Sequence, residues 1–456
     1  MGKLLSIGLD VGTTTTQLIV SELSVENRGN AFSVPEMVID RRQLLYQSPV
    51  RFTPLLGGEL VDGEAIARWV EEQYAAAGIT KEQVDTGAVI ITGETSRKEN
   101  ARQVLTALSG FAGEFVVATA GPDLESVLAA KGAGAVDFSA RTGKSVLHMD
   151  IGGGTSNLAF VENGKIIRTG CLNVGGRLVK LGEQGEVTYV SPVLEGLCDL
   201  QVGQTPTPQQ LEQVAELLAR ALEMAAGLLP PTDLLEKLTT REAKTPWVCE
   251  RAEVISFSGG VADCIDMDHP PLAFGDLGVL LGSAIRRSGL CNGAYRLGEQ
   301  TIRATVIGAG CHSTQLSGST IYYDGITLPI KNLPVAVLPT PVTKEAVTNA
   351  YLGQDSPSVV LYIAGYSAPA YAQVRELAEA IISGSGEREL LVCLDTDMAK
   401  ALGHAIKLLA PERACLCMDR VQLSGESFLD IGTPVGPALP VVVKTLVLSQ
   451  AQPMKG

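Results

Sequence analysis

Short apolar runs and glycine-rich turns alternate along the first third of the chain. The runs LLSIGL and QLIVSEL flank a turn at residues 11–15 and are rich in β-formers, which predicts two strands over 3–22. Residues 31–60 continue as strands with GG and DG turns. DGEAIARWVEEQYAAAG (62–78) carries a helical pattern, with Asp62 placed to cap its start and Gly78 to stop it. A strand, a loop and a helix are expected over 87–113, another strand over 113–121, and a helix of small residues over 123–139. The strand pattern then restarts: SVLHMDIGGGTSNLAFVENGKIIRTG (145–170) predicts three strands, the last two joined by a hairpin turn at Asn163-Gly164. Leu211, Val214, Ala215, Leu218, Leu222 and Ala225 recur at helical spacing within 208–227. Residues 228–247 read as a polar connection, 253–263 as a strand entering a Gly-Gly turn, and 275–289 as a helix. After a break at 289–300, strands are expected near 301–307, 319–323, 358–364, 389–394 and 414–418. Helices are expected near 369–382 and 397–409.

Composition narrows the function classes. Fifty acidic against 36 basic residues give a net charge of −14, which argues against a basic nucleic-acid-binding face. A nucleotide ligand stays compatible with that charge, because backbone N–H groups and a metal can hold it. Nine cysteines all follow residue 170 and none forms a C-x-x-C, the pattern of reduced thiols in a cytoplasmic protein. No signal-peptide pattern or membrane-length apolar run is present.

Two turns carry the candidate chemistry. DVGTTTT (10–16) and DIGGGTS (150–156) share Asp, one residue, Gly, two residues and Thr, and lie 140 residues apart, each between two strands. A duplicated lobe explains this spacing. Glycines at Gly12, Gly152, Gly153 and Gly154 let backbone N–H groups close on a phosphate. Thr13, Thr14, Thr15 and Thr155 add hydroxyl donors. Asp10 and Asp150 end their strands where a carboxylate can hold Mg²⁺ through water, since that ion keeps several of its waters. Gly259 and Gly260, after the strand ISFS, leave room for a nucleobase on bare backbone.

In order, these landmarks over residues 4–286 resemble the actin-like ATPase superfamily. DVGTTTTQLIVSEL, ITGETSRKENA, DIGGGTSNLAFV, FSGGVAD, FGDLGVLLGSAIR and VIGAGCHSTQLSGSTI look more closely like the ethanolamine ammonia-lyase reactivating factors of bacterial ethanolamine utilisation. The resemblance implies an α/β fold with two RNase H-like lobes and a nucleotide cleft. The lobes would span 1–144 and 145–288, followed by a C-terminal α/β region at 289–456 for partner recognition, whose removal from residue 300 should spare ATP binding. It also implies ATP and Mg²⁺ as cofactors, Asp10 and Asp150 as catalytic residues and Mg²⁺ holders through water, and both subunits of the lyase as partner. ATP would be used to release damaged cobalamin so that intact adenosylcobalamin can bind. The location implied is the cytoplasm, with association with the ethanolamine microcompartment. Neither nucleic acid nor membrane is expected as a partner, and a homodimer is left open.

This chain departs from the superfamily pattern in two places. The second turn ends on Asn157 where chaperone-type relatives carry an aspartate. The residue before Pro122 is Gly121 where those relatives carry a glutamate, so Asp123 and Glu94 are the alternatives for positioning the attacking water. A small-molecule kinase on the same fold is the second reading, with Asp62 or Asp123 as its base, and a filament-forming ATPase the third. RTGKS (141–145) lacks the first glycine of a P-loop and reads as a polar turn. Cys311 and His312 are neighbours whose side chains diverge, which argues against a catalytic dyad. His148, His269 and His404 belong to no motif.

Overall fold

The computed structural model describes residues 2–12, 15–27, 37–56, 60–92, 116–119, 122–240, 247–249, 252–267, 269–312, 314–317, 320–353, 356, 358–364, 370–421, 423, 427–434 and 438–445. The first lobe contains β1 (Gly2–Val11), β2 (Thr15–Asn27), β3 (Met37–Gln47), α1 (Gly63–Ala77), β4 (Thr86–Ile91) and β5 (Val116–Thr119). Its sheet runs β3-β2-β1-β4-β5, with the short strand Arg51–Phe52 beside β2. The β1–β2–β3 meander is antiparallel, and β1, β4 and β5 are parallel. Asp62 caps α1 by accepting from Ala65 N at 2.9 Å, and Gly78 ends it in the left-handed region at φ 70°.

Residues 122–142 carry the chain across to the second lobe. The single helix expected at 123–139 is two: α2 (Pro122–Gly132) and α3 (Ala135–Thr142), separated by Gly134 at φ 74°. Gly143 then ends α3 at φ 70°, so RTGKS is a helix stop and a turn.

The second lobe repeats the first. It contains β6 (Val146–Ile151), β7 (Ser156–Glu162), β8 (Lys165–Leu172), α4 (Pro208–Ala225), β9 (Val254–Ser258), α5 (Gly278–Arg287) and β10 (Tyr295–Leu297). The sheet order is β8-β7-β6-β9-β10, again an antiparallel meander followed by parallel strands. Asn163 and Gly164, at φ 48° and 73°, make the expected hairpin turn. The apolar stripe of α4 is buried with α5 in a core behind this sheet. The break expected at 289–300 thus contains the sheet's fifth strand.

Residues 301–307, expected as a strand, instead lead into helix α6 (Ala304–His312). ATVIGAGC has no polar face because the helix is covered on several sides. It lies on β1 and β2 of the first sheet, and α2 lies on the second. The two helices cross at contact distance. A Cβ on Gly132 would sit 1.9 Å from Ala304 O, and one on Gly308 2.0 Å from Leu128 O. On the other side of α6, a Cβ on Gly8 would meet Val306 O at 2.4 Å. Small residues are what allow this four-layer stack of sheet, helix, helix and sheet.

After α6 come β11 (Thr314–Leu316), β12 (Tyr322–Asp324), β13 (Ile330–Leu338), α7 (Lys344–Leu352), β14 (Val360–Ile363), α8 (Tyr371–Ser385), β15 (Leu390–Leu394), α9 (Ala399–Leu409), β16 (Cys415–Asp419), β17 (Ser427–Ile431) and β18 (Pro440–Thr445). They form a third sheet, β11-β18-β17-β13-β14-β15-β16-β12, with β13 to β16 parallel. Val442 of β18 packs with Ala88, Ile90, Leu128 and Ala309, which ties this sheet to the first lobe. None of the nine cysteines, all of them described, is in a disulfide, and Cys311 Sγ lies 3.1 Å from Ser21 Oγ in the core.

Candidate functional site

The repeated turns close in the same way. Gly12 N donates to Thr15 O and Gly152 N to Thr155 O, both at 2.9 Å. The β1–β2 pairing sets Gln17 opposite Asp10, and the β7–β6 pairing sets Asn157 opposite Asp150. A hydroxyl at the end of the next parallel strand reaches each carboxylate. Thr92 Oγ1 donates to Asp10 Oδ1 at 2.8 Å, and Ser258 Oγ donates to Asp150 Oδ1. The two lobes therefore present matching sets of aspartate, amide and hydroxyl.

Both sets open into one cavity of about 470 Å³ between the lobes. Asp10, Gly12, Thr15, Asp150, Gly152, Gly153, Gly154, Thr155, Gly259 and Gly260 all line it. Thr13, Thr14 and Glu94 lie outside the described residues. Asp123 is exposed, accepts from Thr169 Oγ1 at 2.5 Å, and is not part of the lining. Asp62 is occupied as the cap of α1. The threonine run divides its work: Thr15 faces the cavity, while buried Thr16 lies 3.1 Å from Thr53 Oγ1, which itself donates to Gly12 O at 2.7 Å. The second turn is braced by Gly176 N to Gly152 O (3.0 Å) and Arg177 N to Gly153 O (2.6 Å).

The two glycines of the third turn differ. Gly259 has φ 85°, and a Cβ there would stand 2.3 Å from Ile151 O, so the backbone itself demands glycine. At Gly260 a Cβ would meet only Ile302 Cδ1 at 3.9 Å and would point into open space. Met267, His269 and Phe274 complete this end of the cavity, His269 and Phe274 meeting edge to face at 5.4 Å. His269, which sequence reading left isolated, is thus a cavity residue.

Glu125 is the main residue that sequence reading missed. It lies in the first turn of α2, is buried, lines the cavity and accepts from Asn157 Nδ2 at 2.9 Å. The signal was its helical position close to Pro122, four residues from where a glutamate was sought. Thr305, on the first turn of α6, also lines the cavity and donates to Asp150 Oδ2 at 3.3 Å. Ile302 lines it too, and its carbonyl accepts from Gln17 Nε2 at 3.1 Å. Removing the chain from residue 300 would therefore take part of the cleft wall with it, contrary to expectation.

The cavity is rich in acceptors. Burial pushes the Asp10 carboxyl up to about 7, with Glu125 and Asp150 adding to the rise and the Thr92 hydrogen bond opposing it. Burial also raises Asp150, against hydrogen bonds from Ser258 and Thr305. The amide oxygens of Gln17 and Asn157 are buried and have no hydrogen-bond partner among the described residues. Asp10, Glu125 and Asp150, with the amide oxygens of Gln17 and Asn157 beside them in the cavity, suit a hydrated cation, whose charge offsets the carboxylates and whose waters donate hydrogens. Arg177, paired with Asp276 at 3.1 Å and stacked over Phe52 of the other lobe at 5.6 Å, brings a positive charge to the rim.

Two copies of a 3-2-1-4-5 sheet, each with a glycine turn and an aspartate facing the other, define the actin-like class of two-lobed α/β proteins. The family model for ethanolamine utilisation protein EutA matches residues 2–449. The chain is 39% identical over 469 residues to ethanolamine ammonia-lyase reactivase EutA of Escherichia coli (strain K12), which covers 97% of this chain and 98% of that protein. The reactivase of the same name from Salmonella typhimurium gives the same figures. The chain belongs to the EutA family of ethanolamine utilisation proteins. Among solved structures it is similar to the Aquifex aeolicus PPX-GPPA enzyme, with 12% identity, a TM-score of 0.42, and coverage of 67% of this chain and 99% of that one. Among the described residues, no helix is long and apolar enough to cross a membrane.

Proposed function

We propose that this chain is an ATP-dependent reactivase for ethanolamine ammonia-lyase, with Mg²⁺·ATP in the cleft between its lobes. Family membership supports the partner. The observation that carries the ATP reading is the matched pair of turns, with Asp10 and Asp150 in one cavity beside the unpartnered oxygens of Gln17 and Asn157. Backbone N–H groups at Thr15 and at Gly153, Gly154 and Thr155 are suited to the phosphates, while those of Gly12 and Gly152 close the two turns. Gly259, Gly260 and the Met267–Phe274 side are suited to the adenosine. Asp10 and Asp150 would hold the cation through its waters, and Gln17 and Asn157 would accept from those waters. Bound Mg²⁺·ATP supplies a phosphoanhydride whose cleavage releases free energy.

Glu125 is the residue best placed to orient a water and take its proton, a role that Asp123 is too far toward solvent to fill. Asn157 fixes its Oε2 at 2.9 Å and so holds the carboxylate at the cavity wall. Ligand contacts from both lobes let the nucleotide bias their closure. A tenfold difference in lyase affinity between ATP- and ADP-loaded protein needs only about 1.4 kcal/mol of coupling. In this reading the third sheet contributes to holding the lyase, both of whose subunits are candidate contacts, in the cytoplasm or the ethanolamine microcompartment.

The test is reactivation. The protein is incubated with cyanocobalamin-blocked ethanolamine ammonia-lyase, ATP, Mg²⁺ and free adenosylcobalamin, and lyase activity is followed. Recovery that requires ATP and Mg²⁺ is expected, and equal recovery without nucleotide would refute the reading.

A further inference from the structure

A row of polar side chains leads away from Asp150 along the buried face of the second sheet. Parallel pairing of β9 with β6 sets Ser258 opposite Asp150 and Ser256 opposite His148. His148 and Asp150 are two residues apart on one strand, so they share a face. His148, Ser256 and Ser258 are fully buried. His148 Nδ1 lies 3.2 Å from Ser256 Oγ and its Nε2 2.9 Å from Ser258 Oγ, and Ser258 in turn bonds Asp150 Oδ1.

The direction of the row follows from counting protons. A hydroxyl has one hydrogen, and an ionised carboxylate only accepts. Ser258 therefore spends its hydrogen on Asp150 and can only accept from His148, so Nε2 carries the ring hydrogen. The ring is enclosed in the core between its two serine partners, where one ring hydrogen serves both bonds. A neutral ring has one N–H, which makes Nδ1 an acceptor and Ser256 its donor. Every hydrogen in the row points toward Asp150. One pair further along, the same face is apolar, with Val146 and Val254 packed among alanines and valines. The polar residues begin only where the row reaches the carboxylate, which an unspecialised core would not require.

We propose that His148 is a positioning residue: acting through Ser258, its Nε2–H commits Asp150 Oδ1 to the protein and leaves Oδ2, which among the described residues accepts only the long Thr305 bond, for the cation's water. The proposal rests on the Mg²⁺·ATP reading of the cleft. Partners that orient a metal-holding side chain in this way are typically worth about 10- to 100-fold in metal affinity.

Two measurements test it. In ¹⁵N-histidine-labelled protein at pH 7.5, the His148 signal, identified by its loss in His148→Gln, is expected to report the Nε2–H tautomer. Ser258→Ala should release that preference. An Nδ1–H tautomer or an imidazolium in the wild type would overturn the proposal. The second measurement is the gain in ATP affinity on adding Mg²⁺, read by calorimetry. His148→Leu should reduce that gain about tenfold while leaving Mg²⁺-free ATP affinity unchanged, and Ser258→Ala should reduce the gain by at least as much. His148→Gln, whose amide N–H reaches the place of Nε2–H, should restore most of it. Equal losses in the Gln and Leu variants would also overturn it. A wild type with no Mg²⁺-dependent ATP binding would refute the cleft reading instead, and the tautomer would still decide the direction of the row.

Discussion

Replacing Asp10 by Asn should change how stability depends on pH. Burial between two other carboxylates raises the Asp10 carboxyl from 3.8 to about 7. The folded protein then keeps this proton between those values while the unfolded chain has lost it. The unfolded state binds fewer protons, so stability falls as pH rises through that window. The contribution is fully present below 3.8 and gone above about 7. The window is about three pH units wide, and each is about 1.4 kcal/mol, which sets a ceiling of about 4 kcal/mol. One side of Asp10 faces the cavity and its water, which halves the effect to about 2 kcal/mol. Asparagine keeps the shape and can accept from Thr92 but does not ionise. Urea unfolding in a chelator, at pH 5 and pH 8, spans about two of these three units, so the wild type should lose about 1.3 kcal/mol relative to Asp10→Asn. Parallel pH profiles, or a wild type that gains on the variant as pH rises, would refute the reasoning.

Glu125→Gln keeps an oxygen for Asn157 and removes the base, so ATP turnover should fall roughly 10²- to 10⁴-fold with little change in ATP affinity; phosphate release and calorimetry together would show whether turnover survives. Gly260→Val should weaken nucleotide binding while the melting temperature holds, because its side chain points into the cavity. Gly259→Ala should do the opposite, costing about 1–3 kcal/mol of stability through its φ of 85° and the Ile151 carbonyl; thermal melts of the two variants compare them directly. Gly308→Leu should be among the most damaging single changes, since its side chain meets the α2 backbone, and normal soluble expression with an unaltered melt would count against the helix crossing.

Local chemistry was readable where it was sufficient. Asn163-Gly164, the caps of α1, the stripe of α4 and both aspartate turns need only neighbouring residues to be recognised. The residues that were missed act over long distances. Glu125 has meaning only beside Asn157 from the second sheet, and Gly175–Arg177 only against the turn they brace. α6 looked like a strand because its apolar residues are uninterrupted, and periodicity cannot separate a covered helix from a buried strand. β17 and β18 follow the parallel strands as an antiparallel pair, and nothing local marks β17 as the neighbour of β13.

The chain passes between the two lobes twice, once through α2 and again through the segment from β10 to α6. A body attached at one point can swing in any direction, but a body attached at two can turn only about the line through both. Any opening or closing of the cleft would thereby be reduced to one degree of freedom, with the glycine-lined seam of α2 and α6 along its axis. Because α6 runs directly into β11, that single rotation is geared to the third sheet, and a nucleotide gripping both lobes would drive a movement of defined direction at the far end of the molecule.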